Sequence, residues 1–333
     1  MTCSMFSLGA LFACATLPTA FGQTYTTFDP PGSVLTAVLG INSLGDVTGY
    51  YGDSSGLYHG FLRTANGTIT TFDPPGSTGT TPYGINSSDE ITGSAFVDAT
   101  YEGFLRTSDG TITIVNIPGA SQTVPTSINS SGDIAGYAYL TNGQLGFILT
   151  SGGALTTFDV GTLYAISIND SDAVAGTTLG DAKRIAGFVK ANGGNIATFN
   201  VPQKLSASAT GINSSGTVTG AASDVVCGLF ACYGEPTTEG FVRTSNGQIT
   251  TFQVVKGSFT YSAAINASGE IVGHYESSNG SAYHGFSRDT SGAITTLDPP
   301  GSTGTFPTSI NDSGAITGYF LMDNVYHGFI LIP

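Results

Sequence analysis

Residues His59 to Gly93 read HGFLRTANGTITTFDPPGSTGTTPYGINSSDEITG, and residues His284 to Gly318 read HGFSRDTSGAITTLDPPGSTGTFPTSINDSGAITG. One sentence is written almost twice, and its anchors recur throughout the chain, the mark of a repeat architecture. Ile-Asn stands at Ile41, Ile85, Ile128, Ile168, Ile212, Ile265 and Ile310, at spacings of 44, 43, 40, 44, 53 and 45 residues. An Ile/Val-x-Gly follows each, with its Gly at 49, 93, 136, 176, 220, 273 and 318. Gly-Phe then ends at Phe61, Phe104, Phe147, Phe188, Phe241, Phe286 and Phe329. An Ile-Thr-Thr-Phe-like run begins at Ile69, Ile112, Leu155, Ile196, Ile249 and Ile294, and a further copy stands alone in TYTTFDPPGS, Thr24 to Ser33.

Each anchor is short, β-branched or aromatic, and bounded by Gly, Asn, Ser or Pro, which is strand composition. No stretch after the N-terminal segment shows sustained helical periodicity. The spacing therefore predicts four antiparallel strands per repeat, the signature of a β-propeller blade, and seven copies predict a seven-bladed propeller. The orphan N-terminal strand and the chain's stop after HGFILIP predict closure by strand exchange, the N-terminal strand joining the C-terminal blade and removing an open edge. A parallel β-helix is the rival and lacks the tight hairpins. The Ile of Ile-Asn, the Ile/Val of the next anchor and the two Phe are expected between blades. The Asn suits an Asx turn, with calcium coordination the alternative for NDSD and NSSGD. Arg63, Arg106, Lys190, Arg243 and Arg288 share the slot two after the Phe, which predicts a structural ion pair or hydrogen bond.

At these residues the chain resembles the HAF-repeat family of extracellular bacterial proteins, whose repeat runs Ile-Asn-x-x-Gly-x-Val-x-Gly and then His-Ala-Phe. INSLGDVTG at Ile41–Gly49 and INASGEIVG at Ile265–Gly273 carry the likeness, and HGF replaces His-Ala-Phe at His59, His284 and His327. Glu102, Leu145, Ala186 and Glu239 depart at the His position. The resemblance covers nearly all of 24–333 and implies secretion and repeat architecture, with no assigned reaction. The layout is also similar to kelch propellers, an analogy of fold only.

Composition narrows the function. The 333 residues carry net charge −14 with only nine Lys plus Arg, so a phosphate backbone is repelled and nucleic acid is not an expected partner. The apolar run Met5 to Leu17 is too short to span a bilayer, and residues 1–22 read as a secretory signal peptide although MTCS lacks a basic residue. That leaves one domain, 23–333, in a secreted, extracellular protein without a membrane span, expected to be monomeric. Cys227 and Cys232, in CGLFAC, read as a local disulfide in an exported chain. No nucleophile, zinc or P-loop motif occurs, and no metal or other cofactor is expected.

Tight turns gather on one face of such a fold, and the second-to-third-strand loops and DPPG crossings on the other. The second face carries the variation, including the long AASDVVCGLFACYGEPTT insertion. Variable loops on a rigid scaffold are where binding usually lives. Tyr51, Tyr58, Tyr101, Tyr233, Tyr283 and Tyr326 are its aromatic candidates. His59, Glu102, Glu239, His284 and His327, each before a Gly-Phe, are the polar ones; the competing reading gives them hydrogen bonds between blades. The expected function is a non-catalytic binding or scaffold protein for glycan or surface-protein ligands. The alternative is a secreted glycan-active hydrolase or lyase.

Overall fold

A computed structural model describes residues 24–179, 184–224, 226–227, 232–233, 237–278 and 280–333. The signal peptide expected at 1–22 lies outside the described residues. Every regular element among those described is a β-strand. Each first strand ends at its Ile-Asn isoleucine, as the spacing predicts. Units one to six span 35–72, 79–115, 122–158, 162–199, 206–252 and 260–297, and the seventh spans 304–332. The first six each bring four strands together in antiparallel order. In the seventh, Thr24–Phe28 supplies the fourth strand, pairing antiparallel with Val325–Ile332 from Thr24 opposite Ile332 to Phe28 opposite Gly328. Single parallel bridges, Tyr58 with Gly79 and Tyr283 with Gly304, join units one to two and six to seven.

Every first strand carries a register shift near its middle, for example between Val38 and Gly40. The bulge pushes a carbonyl oxygen across at the Ile/Val-x-Gly glycine. A Cβ at Gly49 would run into the Ala37 carbonyl, so only glycine fits that slot.

The units pack through their repeated apolar residues. All seven Gly-Phe rings are fully buried. Phe28, Phe72, Phe158, Phe199 and Phe252, which close fourth strands, meet Phe61, Phe104, Phe188, Phe241 and Phe286 of the next unit at centroid distances of 5.8–6.0 Å. Over each closing ring lies the shared basic slot. Arg63, Arg106, Arg243 and Arg288 sit 4.8–5.0 Å, and Lys190 6.0 Å, from the centroids. The slot thus makes a cation–π contact and a hydrogen bond to the following carbonyl, as from Arg106 Nη1 to Thr107 at 3.2 Å, rather than an ion pair. Where the closing residue is Val115 or Leu297, the slot holds Leu149 or Leu331 and the contact is aliphatic.

A polar circuit links all seven units at one end. The Nδ2 of Asn42 donates to the Asn86 carbonyl, and so on through Asn129, Asn169, Asn213, Asn266 and Asn311, whose Nδ2 donates back to the Asn42 carbonyl, at 2.8–3.3 Å. The same side chains form the expected Asx turns: Asn42 Oδ1 accepts from the amides of Leu44 and Asp46.

Candidate functional site

The repeated turns at that end frame a cavity of about 370 Å³ lined by the Ile-Asn of every unit and the residue after it, Ser in four units, Asp170 and Asp312 in two and Ala267 in one. One N–H of each asparagine side chain there is engaged in the circuit. The opposite end carries the exposed rings. Tyr58, Tyr101, Tyr283 and Tyr326 begin third strands and are 38–47% exposed. Each leans on a second-strand ring, Tyr50, Phe96, His274 and Tyr319 respectively, at 5.2–5.8 Å. Units six, seven, one and two, which carry them, are adjacent through the pairing of Thr24–Phe28. Tyr51 differs: alternation along its strand turns it away from Tyr50, and it packs half-buried against the cluster of Val38 and Phe61. The Tyr233 side chain lies outside the described residues.

The three Gly-Phe histidines occupy three separate, matching settings. His59, His284 and His327 place Nδ1 2.7 Å from Oδ2 of Asp73, Asp298 and Asp29. Each imidazole tilts over the residue opposite it on the second strand, Tyr51, Tyr275 or Phe320. In two cases the other carboxylate oxygen accepts a hydroxyl of the next unit: Thr80 Oγ1 to Asp73 at 2.5 Å and Thr36 Oγ1 to Asp29 at 2.6 Å. The aspartate of DPPG is therefore a clip between one unit's third strand and the next unit's first. Histidine, a ring opposite it and Asp-Pro-Pro-Gly occur together in units six, seven and one. The other four units place Ala95, Ala138, Thr178 and Ala222 opposite Glu102, Leu145, Ala186 and Glu239. His59 has a second carboxylate, Asp53, at 3.5 Å from Nε2, and the hydrogen bond it donates to Asp73 raises its pKa.

Glu239 is committed elsewhere. Lys204, on the crossing between units four and five, holds Glu239 at 2.8 Å and Asp224 at 2.9 Å. Burial of Lys204 works against its charge, yet the two carboxylates outweigh it and raise its pKa. Glu102 sits at a shallow cavity of about 350 Å³ with Tyr101 and the crossing 116–123. The candidate polar residues are thus distributed among separate pairs. Among the described residues no cluster of three or more His, Cys, Asp or Glu is arranged to hold a metal.

His274 does not stand in the Gly-Phe slot and escapes sequence reasoning. It stacks on Tyr261 (5.0 Å, 24°) and meets Phe306 edge-on (5.1 Å, 66°), and Phe306 stacks on Tyr319 (5.2 Å, 24°). Burial pushes its pKa down to about 4, so the imidazole is neutral at neutral pH. Tyr283 and Tyr326 cover Phe306 at 5.6 and 6.3 Å, completing an aromatic arc across units six and seven that continues at Tyr50 and Tyr58. Burial also raises the pKa of Tyr50 and Tyr319, which keeps their hydroxyls protonated.

The backbone places Cys227 directly opposite Cys232 in a two-stranded ribbon. Their side chains lie outside the described residues, and no disulfide occurs among those described. No described helix is long and apolar enough to cross a membrane.

No family model matches the chain, and no curated protein matches it. Solved structures do. Virginiamycin B lyase from Staphylococcus aureus is similar over 94% of this chain and 100% of its own, with a TM-score of 0.62 at 16% identity. A streptogramin B lyase covers 93% of this chain and 98% of its own at TM-score 0.60 and 14% identity. The β-propeller domain of the Trilobed protease from Pyrococcus furiosus covers 90% and 94% at TM-score 0.60 and 9% identity. At such identities the likeness concerns the fold alone, and with the all-strand architecture it makes this chain a β-propeller protein.

Proposed function

We propose that the chain is a closed seven-bladed propeller that acts as a non-catalytic binding module, using the aromatic arc of units six, seven, one and two to hold a glycan. The observation that carries this reading is the row of exposed tyrosines, each seated on a second ring in successive units. Rings backed by rings present fixed faces and lose little entropy on binding, and tyrosine hydroxyls can donate to sugar oxygens. The ligand is neutral or cationic in keeping with the chain's net charge of −14. Affinity electrophoresis through gels carrying xylan, mannan or mixed-linkage β-glucan tests it. The protein is retarded by at least one polymer, and Tyr58→Ala, Tyr283→Ala or Tyr326→Ala lowers affinity about tenfold or more. Equal mobility in all gels sinks the glycan reading, and capture of a surface protein by the same tyrosines replaces it.

One observation favours a lyase as the second reading. His59 lies between two carboxylates, and in virginiamycin B lyase a histidine-to-alanine variant is described as catalytically inactive. Polysaccharide turnover abolished by His59→Ala would establish it. The repetition of the His–Asp pair in three units favours architecture instead.

The proposal includes export directed by residues 1–22, membership of the HAF-repeat family and a Cys227–Cys232 bridge, supported by the apolar run at 5–17, the Ile-Asn repeat and the opposed backbone positions. Mass spectrometry of protein recovered from the medium reads both processing and thiol state. Two free thiols without reductant would remove the bridge.

A further inference from the structure

The turn after each Ile-Asn holds a departure that recurs in pairs. Three residues beyond the Asn the backbone is left-handed in every unit, and the residue is glycine in five: Gly45, Gly132, Gly216, Gly269 and Gly314. In units two and four it is aspartate, Asp89 and Asp172, at φ of 59° and 58°, a conformation that an L side chain adopts only at a cost. Four residues beyond the Asn, only units one and three carry aspartate, Asp46 and Asp133. Each left-handed aspartate thus follows a unit that supplies another.

The fold brings the two together. A Cβ at Gly132 would stand 2.9 Å from Glu90 Oε2, so the fourth-position acid of one unit reaches the third position of the next. Asp46 and Asp133 are 6% and 7% exposed. Oδ1 of each accepts a backbone amide of its own unit, from Ala65 at 2.6 Å and from Ser151 at 2.7 Å. The asparagine Nδ2 beside them carries two hydrogens, and one serves the circuit. In unit two the other goes to that unit's own acid, from Asn86 to Glu90 at 2.7 Å. In units one and three it goes across the seam instead, from Asn42 to Asp89 Oδ1 at 2.8 Å and from Asn129 to Asp172 Oδ1 at 2.9 Å. Asp46 Oδ2 is left 3.4 Å from the same Asn42 nitrogen. The neighbour's aspartate has taken the donor that the unit's own acid would use.

Each of the two seams therefore holds a carboxyl pair within hydrogen-bonding reach and one donor short. The groups around the pairs do not neutralise them. Arg106, on unit two's third strand, attracts Asp89 but donates to the Thr107 carbonyl. Asp172 faces a further carboxylate, Asp170, and accepts from Asn192 Nδ2 at 3.1 Å. Lys190, in the slot equivalent to Arg106, donates to the Ala191 carbonyl. Burial first, and then the carboxyl across the seam, raise the pKa of Asp89 and of Asp172. One shared proton is the cheaper arrangement for two carboxyls so placed, since two charges there would face each other out of water.

We propose that the seams between units one and two and between units three and four are proton-held joints, Asp46 with Asp89 and Asp133 with Asp172 each keeping one proton between them, so that mildly acidic solution tightens these two joints and alkaline solution loosens them. The sign follows from linkage. A carboxyl whose folded pKa is raised contributes stability that is fully present below the unfolded value and is lost as pH rises through the folded one. The five turns with glycine at the third position cannot form the pair. The joints rest neither on the glycan reading nor on closure of the ring.

Two measurements on the full chain test this: a carboxyl NMR titration, with signals assigned by their loss in Asp89→Asn and Asp172→Asn, and urea unfolding between about pH 4 and pH 8. Both aspartates titrate above the ordinary value of about 3.9, and each pair gives up its protons in two separate steps. The double variant, Asp89→Asn with Asp172→Asn, puts a permanent N–H donor where the proton sits and keeps a residue that tolerates the left-handed turn. Its unfolding equilibrium constant lies about tenfold below that of the unaltered protein at the alkaline end, and the two converge at the acid end. Glu90→Gln, opposite Gly132, leaves the pH dependence as it was. The proposal is overturned if both aspartates titrate at or below the ordinary value, or if the double variant keeps the full pH dependence. Millimolar calcium that stabilises the unaltered protein at the alkaline end and not the double variant would make the pairs cation sites, and would also overturn it.

Discussion

Phe72 and Arg106 offer a direct test of how neighbouring units recognise each other. The Arg106 guanidinium is 6% exposed, lies 5.0 Å from the Phe72 centroid and donates through Nη1 to the Thr107 carbonyl. Its Nε has no partner among the described residues. Changing Phe72 to Leu removes part of a half-buried ring, about 1 kcal/mol of transfer. It also removes an edge contact with Phe104, about 0.5–1 kcal/mol, and the cation–π contact, about 1 kcal/mol. The sum is about 3 kcal/mol. Arg106→Leu loses the same cation–π contact and one hydrogen bond, but it relieves a buried cation with an orphaned nitrogen, so its net cost is about 1 kcal/mol. The double variant recreates the aliphatic pair already present as Leu297 with Leu331. The cation–π contact is lost only once in the double variant, so its cost is about 3 kcal/mol rather than 4. Equilibrium urea unfolding of the four proteins measures this coupling of about 1 kcal/mol. Strict additivity, within about 0.3 kcal/mol, would refute the claim that ring and cation act as one unit.

The other predictions are briefer. Asn213→Ala removes the donor to the Asn266 carbonyl and the acceptor for the Ser215 and Thr217 amides, and urea unfolding should show a loss of about 2–3 kcal/mol. Because the folded pKa of His59 is raised, its contribution is fully present below the unfolded value of about 6.5 and is lost as pH rises through the folded value. NMR titration of Asp73→Asn should return His59 toward that ordinary value, and the stability of that variant should vary less with pH above it. His274 behaves oppositely. Its folded pKa of about 4 lies below the unfolded value, so stability falls with pH between about 6.5 and 4, by about 3 kcal/mol at most. His274→Gln should flatten the melting temperature across that window. Deleting residues 23–33 removes the partner strand of Val325–Ile332 and the Asp29 clip, and calorimetry should show a sharply lowered transition followed by aggregation.

The parts of the fold that repeat were legible because their causes are local. Ile-Asn marks a strand end, since an asparagine can turn the chain within four residues, and Ile/Val-x-Gly marks a bulge that excludes any Cβ. The exposed Tyr58, Tyr101, Tyr283 and Tyr326 were legible for the same reason, lying at strand starts beside variable loops. Tyr51 shows where that logic stops, because adjacent strand residues face opposite ways and only Tyr50 joins the arc. Contacts between units were less legible, since they join residues from different repeats. The His–Asp clip left a trace in the sequence: His before Gly-Phe and Asp-Pro-Pro-Gly occur in the same three units. So did the Phe–cation pairing, which switches to aliphatic residues on both sides at once, Val115 with Leu149 and Leu297 with Leu331. The Lys204 bridge to Glu239 left none, because it occurs once, and the His274 stack left little, because its ring pair changes residue types to Phe306 and Tyr319 in the next unit.

The asparagine circuit has a consequence for how such a chain can change its length. Every link is the same bond in the same rotational sense, from one side-chain amide to the next unit's carbonyl. A tandem duplication or loss of one whole repeat would present the newly adjacent units with the donor and acceptor that the old ones had. The amides thus enforce continuity without counting. The count is left to the taper of each unit, fixed by the Phe and Leu rows that set how far one sheet leans from the next. Gain or loss of a repeat would have to be accommodated in those rows, while the turns bearing Ile-Asn could be copied without alteration.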